Sequence, residues 1–130
     1  FGHGPTRVRG RSDRVDEEPG GTVIVDYKSS DVTDQKVADR RARQSLQLKM
    51  YALAHRHATG RLPARVELRF LESGLAGRHV PTEQDLAEAE RAIVEAAAGI
   101  RGRRFEATPG YQTCRFCAYN QICPSTATRE

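Results

Sequence analysis

The chain has 130 residues, room for one domain with a core of modest size. It is basic, with a formal net charge of +4 from 21 Lys and Arg against 17 Asp and Glu, which favours a polyanionic partner. No run is long and apolar enough to span a membrane and no signal peptide is visible, so the expectation is a soluble, cytoplasmic protein.

The chain begins on Phe1 rather than Met, and is read as a piece of a larger polypeptide. Phe1 to Pro5 reads as a loop, followed by a strand over Arg7 to Asp16. Pro19-Gly20-Gly21 is a strong turn signal, and the apolar run Thr22 to Lys28 is a second strand. So short a connection makes the two an antiparallel hairpin. A four-residue loop over Glu18–Gly21 pairs Glu17 with Thr22 and therefore sets Asp13 opposite Asp26. Directly opposed residues have Cβ atoms roughly 4.5–5.5 Å apart, a spacing that suits two carboxylates sharing a divalent ion. Side chains alternate along a strand, so Ile24, Asp26 and Lys28 share one face. Two acids and an ammonium on one face supply the parts for phosphodiester hydrolysis: a seat for a charge-neutralising ion, and a cation for developing negative charge.

Asp34 is placed to cap a long helix over Gln35 to Ala58, which Thr59-Gly60 ends. Its apolar face is read as Leu46, Met50, Leu53, Ala54 and His57, with Gln47 and Tyr51 one turn apart on the flank. Arg40, Arg41, Arg43 and Lys49 are candidate phosphate contacts, and so are Arg101, Arg103 and Arg104. Arg65 to Leu71 reads as a third strand, with Val66, Leu68 and Phe70 inward and Glu67 and Arg69 outward. Arg78 to Pro81 gives a short return strand. A helix capped by Thr82 and Asp85 then runs to about Ile100, with Leu86, Ala89, Ile93, Ala97 and Ile100 as its stripe. The expected fold class is α/β, a small mixed or antiparallel sheet with flanking helices. Residues 1–108 are the core and 109–130 a cysteine-bearing segment.

Cys114-x2-Cys117-x5-Cys123-Pro124 is a thiolate pattern. It fits either an iron–sulfur cluster or Zn²⁺ with a fourth ligand.

The ordered set GRSDRVD, a Pro-Gly turn, VDYKSS, QLKMYALA and the terminal cysteines resembles the PD-(D/E)xK nuclease superfamily. It is most similar to the RecB-like C-terminal nuclease domain of bacterial UvrD- and AddB-type helicase–nucleases, over Arg7 to Pro124. That resemblance implies a restriction-endonuclease-like core and DNA as substrate. It makes Asp13, Asp26 and the Tyr27 carbonyl ligands of Mg²⁺ or Mn²⁺, and Lys28 the catalytic lysine. It places Gln47 and Tyr51 beside the active site and the DNA backbone. It also implies a helicase motor domain in the parent protein, acting in DNA repair or recombination, and a 4Fe–4S cluster on Cys114, Cys117 and Cys123. The family's fourth cysteine lies N-terminal to the core, and no cysteine precedes Cys114 here. The family core also begins with a helix that carries a further acid or histidine, and no such helix fits in Phe1 to Thr6; on this pattern the core is N-terminally truncated. A CRISPR adaptation exonuclease shares the layout, and a non-catalytic DNA-binding or structural module is the alternative outside enzymes.

Overall fold

The computed structural model describes residues 1–128, so Arg129 and Glu130, the end of the expected polar tail, lie outside it. The residues form two compact units, Phe1–Ala97 and Ala98 onward.

The first unit is built on a four-stranded mixed sheet. The strands are β3 (Arg14–Glu18), β4 (Gly21–Lys28), β5 (Arg65–Phe70) and β6 (Ala76–His79), in that order across the sheet. β3 and β6 run antiparallel to their neighbours, whereas β4 and β5 are parallel. The parallel pair requires a crossover, and the helices α1 (Gln35–Gln44) and α2 (Leu46–Thr59) supply it. A further helix, α3, covers Glu83–Arg101.

β4 is apolar on both faces because it is central, with Val23, Ile24 and Val25 all buried. One face of the sheet, with Ile24, Val66, Leu68 and Phe70, packs with Ala38 and Ala42 of α1, Leu48, Ala52 and Leu53 of α2, and Leu86, Ala89 and Ile93 of α3. α1 lies so close to β6 that a Cβ at Gly77 would stand 2.1 Å from the Ala38 carbonyl oxygen; only glycine fits there.

The other face is not an exposed polar one. Glu67, expected outward, is fully buried. It accepts from Arg65 Nε at 2.6 Å, Arg78 Nε at 3.1 Å and Arg69 Nε at 3.2 Å, while Arg65 also holds Glu18. The long guanidinium stems lie over the same face as Val23 and Val25. Burial alone would raise the Glu67 carboxyl, but the three arginines outweigh it and hold it below the usual carboxylate value.

Five expectations need correction. The single helix over Gln35–Ala58 is two helices, broken at Ser45, whose backbone is extended (ψ 110°) and whose hydroxyl accepts from the Leu48 N–H at 3.2 Å. The break rotates the apolar face: Leu48, Ala52 and Leu53 are buried, while Leu46 and His57 are exposed. Phe1–Pro5 is not all loop, because β1 (Gly2–His3) and β2 (Thr6–Arg7) form a small hairpin. The strand expected over Arg7–Asp16 is confined to those short pieces and Arg14–Glu18, and the return strand begins at Ala76. By contrast, Asp34 caps α1 through the Lys36 N–H, Gly60 ends α2 in a left-handed conformation, and Thr82 and Asp85 cap α3 reciprocally, as expected. The α3 stripe is buried at Leu86, Ala89 and Ile93, but Ile100 is exposed.

From Ala98 on, the chain ends α3, turns at Gly102 and forms one short helix, α4 (Tyr111–Arg115), absent from the sequence reading. No helix among the described residues is long and apolar enough to cross a membrane.

Candidate active site

The β3–β4 hairpin has the register anticipated. Glu17 pairs with Thr22 and Arg14 with Val25, and Glu18 also pairs with Gly21, so the turn is reduced to Pro19-Gly20. Continuing that ladder by one step sets Asp13 opposite Asp26. β3 begins at Arg14, and the chain bends at Asp13 so that its side chain takes over the backbone's role: Oδ2 accepts the Tyr27 N–H at 2.9 Å.

Asp13 is exposed and Asp26 is buried. The Tyr27 N–H and then the neighbouring Asp26 side chain hold the Asp13 carboxyl below the usual value against the opposing effect of burial, with Lys28 and Arg11 lowering it further. Lys28 Nζ lies 2.7 Å from Asp26 Oδ2. That contact is an ion pair off the hydrogen-bonding direction, since Asp26 Oδ2 has no hydrogen-bond donor although it is buried. The ammonium instead donates to Gln47 Oε1 at 2.7 Å. Gln47 Nε2 donates to the Tyr51 hydroxyl at 2.9 Å, and that hydroxyl donates to the Arg11 carbonyl at 2.7 Å. One chain of contacts therefore runs from β4 through α2 to the segment before β3. All five side chains expected at the site, Asp13, Asp26, Lys28, Gln47 and Tyr51, are gathered there.

Arg11 was not anticipated. It contributes a backbone carbonyl, a group every residue has, so nothing in its side chain marks it.

Two carboxylates that face each other across the end of a hairpin repel unless a proton or a cation lies between them, and one buried oxygen of this pair lacks a donor. These hard oxygen donors fit Mg²⁺ or Mn²⁺, ions that keep several waters and need few protein ligands. Within a strand, the N–H and C=O of a residue point to the same edge. The Tyr27 carbonyl therefore faces the edge where its N–H meets Asp13.

Comparison with known proteins shows the family. A family model described as the PD-(D/E)XK nuclease superfamily matches residues 1–124. The chain belongs to the PD-(D/E)XK nuclease superfamily. Its mixed sheet with flanking helices is consistent with the restriction-endonuclease-like fold. No curated protein and no solved structure matches the chain. PD-(D/E)XK nucleases generally use divalent metals, in keeping with the oxygen donors of this member.

The cysteines stand apart from that match of geometry to chemistry. Cys114, Cys117 and Cys123 are free and half-buried. Hydrogen bonds with the Ala127 and Gly110 backbones hold the Cys114 thiol below its usual value. Among the described residues no three His, Cys, Asp or Glu side chains gather into a group able to hold a metal. Zinc and an iron–sulfur cluster both need converging thiolates, so the residues as placed do not fit either.

Proposed function

We propose that this chain carries the catalytic core of a metal-dependent DNA nuclease that hydrolyses phosphodiester bonds. The observation that carries the reading is the register that sets Asp13 opposite Asp26, with Asp13 on the Tyr27 N–H and Lys28 alongside Asp26. A divalent ion held by Asp13, Asp26 and the Tyr27 carbonyl would neutralise the phosphate and acidify the attacking water. The protein's own part is positional and electrostatic. Gln47 fixes the Lys28 ammonium where negative charge develops on the phosphate, and Tyr51 fixes Gln47. The exodeoxyribonuclease type and the setting in a helicase–nuclease of DNA repair rest on the resemblance of the ordered motifs to RecB-like domains.

The test is cleavage of end-labelled linear DNA and of circular single-stranded DNA in Mg²⁺, Mn²⁺ and EDTA, together with calorimetric Mn²⁺ titration. Wild type is expected to cut the linear substrate with metal only and to spare the circle. Asp26→Asn should lose both cleavage and the Mn²⁺ isotherm while keeping its fold. Equal Mn²⁺ binding by the two proteins would remove the metal seat and favour a non-catalytic module. The motor setting predicts faster degradation when an ATP-driven helicase precedes the domain on one polypeptide.

A further inference from the structure

The four cations expected to touch phosphate on α1 and α2 are not equivalent. Lys49 pairs with Glu88 and also lies 3.7 Å from Asp85. Arg40, Arg41 and Arg43 make no ion pair among the described residues, and only Arg41 has a fixed seat: its guanidinium carbon lies 5.4 Å from the centre of the Phe70 ring.

That seat adjoins the site. Phe70 is the register partner of Lys28 across the parallel pair, so both side chains leave the same face of strands about 4.8 Å apart. Asp13 approaches the end of β4 from the β3 side, and Arg41 approaches it from the β5 side. The helix that carries Arg41 is firmly placed. Gln35 donates to the Ala76 carbonyl at 2.8 Å, Asp39 accepts the Arg78 N–H at 3.0 Å, and Gly77 admits Ala38 against the sheet.

We propose that Arg41 holds a backbone phosphate of the nucleic-acid strand adjacent to the one acted on at Lys28. This proposal rests on the nuclease reading of the site. A guanidinium lying on an aromatic face keeps its planar edge free for two parallel hydrogen bonds to phosphate oxygens. Lys28 spends part of its charge on Asp26, whereas Arg41 pairs with no acid among the described residues and offers its charge to the polyanion. Arg41 is thus a positioning residue: it sets where the strand lies.

The test measures binding of a fluorescent single-stranded oligonucleotide over a KCl series, in Ca²⁺, by wild type, Arg41→Met, Arg41→Lys and Arg43→Met. Losing one phosphate contact lowers the slope of log affinity against log salt by about 0.7. Arg41→Met should show that loss and bind roughly tenfold more weakly. Arg41→Lys should recover the slope and only part of the affinity, and Arg43→Met should match wild type. In cleavage assays Arg41→Met should raise KM with kcat little changed. Should Arg41→Met fail to fold, by circular dichroism, Arg41→Gln takes its place in the same series. Wild-type slope and affinity in Arg41→Met, an equal loss in Arg43→Met, or no binding by wild type would each overturn the proposal. If wild type binds without cleaving in Mg²⁺ or Mn²⁺, the nuclease reading fails while the slope still decides Arg41. If wild type cleaves and the Arg41→Met slope is unchanged, only this inference fails.

Discussion

Gln47 Nε2 donates to the Tyr51 hydroxyl at 2.9 Å, one helical turn apart on α2. The pair is a strut: the hydroxyl is anchored on the Arg11 carbonyl at 2.7 Å, and the far end of Gln47 receives the Lys28 ammonium. Tyr51→Phe removes one oxygen from the middle of that strut and leaves the ring in place. We expect cleavage to slow by about 10–100-fold through misplacement of Lys28, with little change in thermal stability. Single-turnover rates measured beside a melting curve would separate the two effects, and an unchanged rate would show that Lys28 needs no such support.

The break between α1 and α2 is held by the Ser45 hydroxyl on the Leu48 N–H. Ser45→Ala should cost about 1 kcal/mol, as loss of an N-cap does. Urea denaturation should show a lower midpoint at constant m-value.

Glu67 gathers Arg65, Arg69 and Arg78 on the face of the sheet opposite the one that α1 and α2 cover. Glu67→Gln leaves these guanidiniums beside a neutral amide that can satisfy fewer of them. Removing one member of a fully buried ion pair costs roughly 3–5 kcal/mol, and here water reaches the arginines, so we expect about 2–4 kcal/mol. Equilibrium unfolding at neutral pH would measure it, and a loss below 1 kcal/mol would mean that the Arg stems alone cover Val23 and Val25.

Asp85 provides a pH signature. Burial would raise its carboxyl, but hydrogen bonds from His79 and from Thr82 prevail and lower it. A depressed carboxylate contributes stability that is present above its unfolded value, about 3.9, and lost as pH falls through the lower folded value. The stability difference between wild type and Asp85→Asn should therefore shrink as pH falls below about 4. Asparagine keeps the cap to Thr82, so the comparison isolates the charge. Urea melts across that range would show a pH-independent difference if the carboxyl is not depressed.

The hairpin was readable because a Pro-Gly reversal fixes register, and register alone faces Asp13 toward Asp26. The helix break was not readable, since Ser45 is followed at the third helical position by Leu48 and no acidic or amide side chain completes a capping box. Glu67 was misassigned by treating charge as a mark of exposure. The sequence does carry the contrary signal: Arg65 and Arg69 stand two residues either side of it and so share its face. Lys49 and Arg41 look alike in the chain, and only the third dimension gives one an acid and the other a ring.

The chain reversal at Pro19-Gly20 stands at the end of the hairpin opposite Asp13. A one-residue slip of register starting there would bring Ser12 or Arg14 against Asp26 and turn Asp13 to the arginine-covered side. The spacing of the acids is thus inherited from the shortness of a distant bend. An insertion that shifts this register would separate the two carboxylates without touching either.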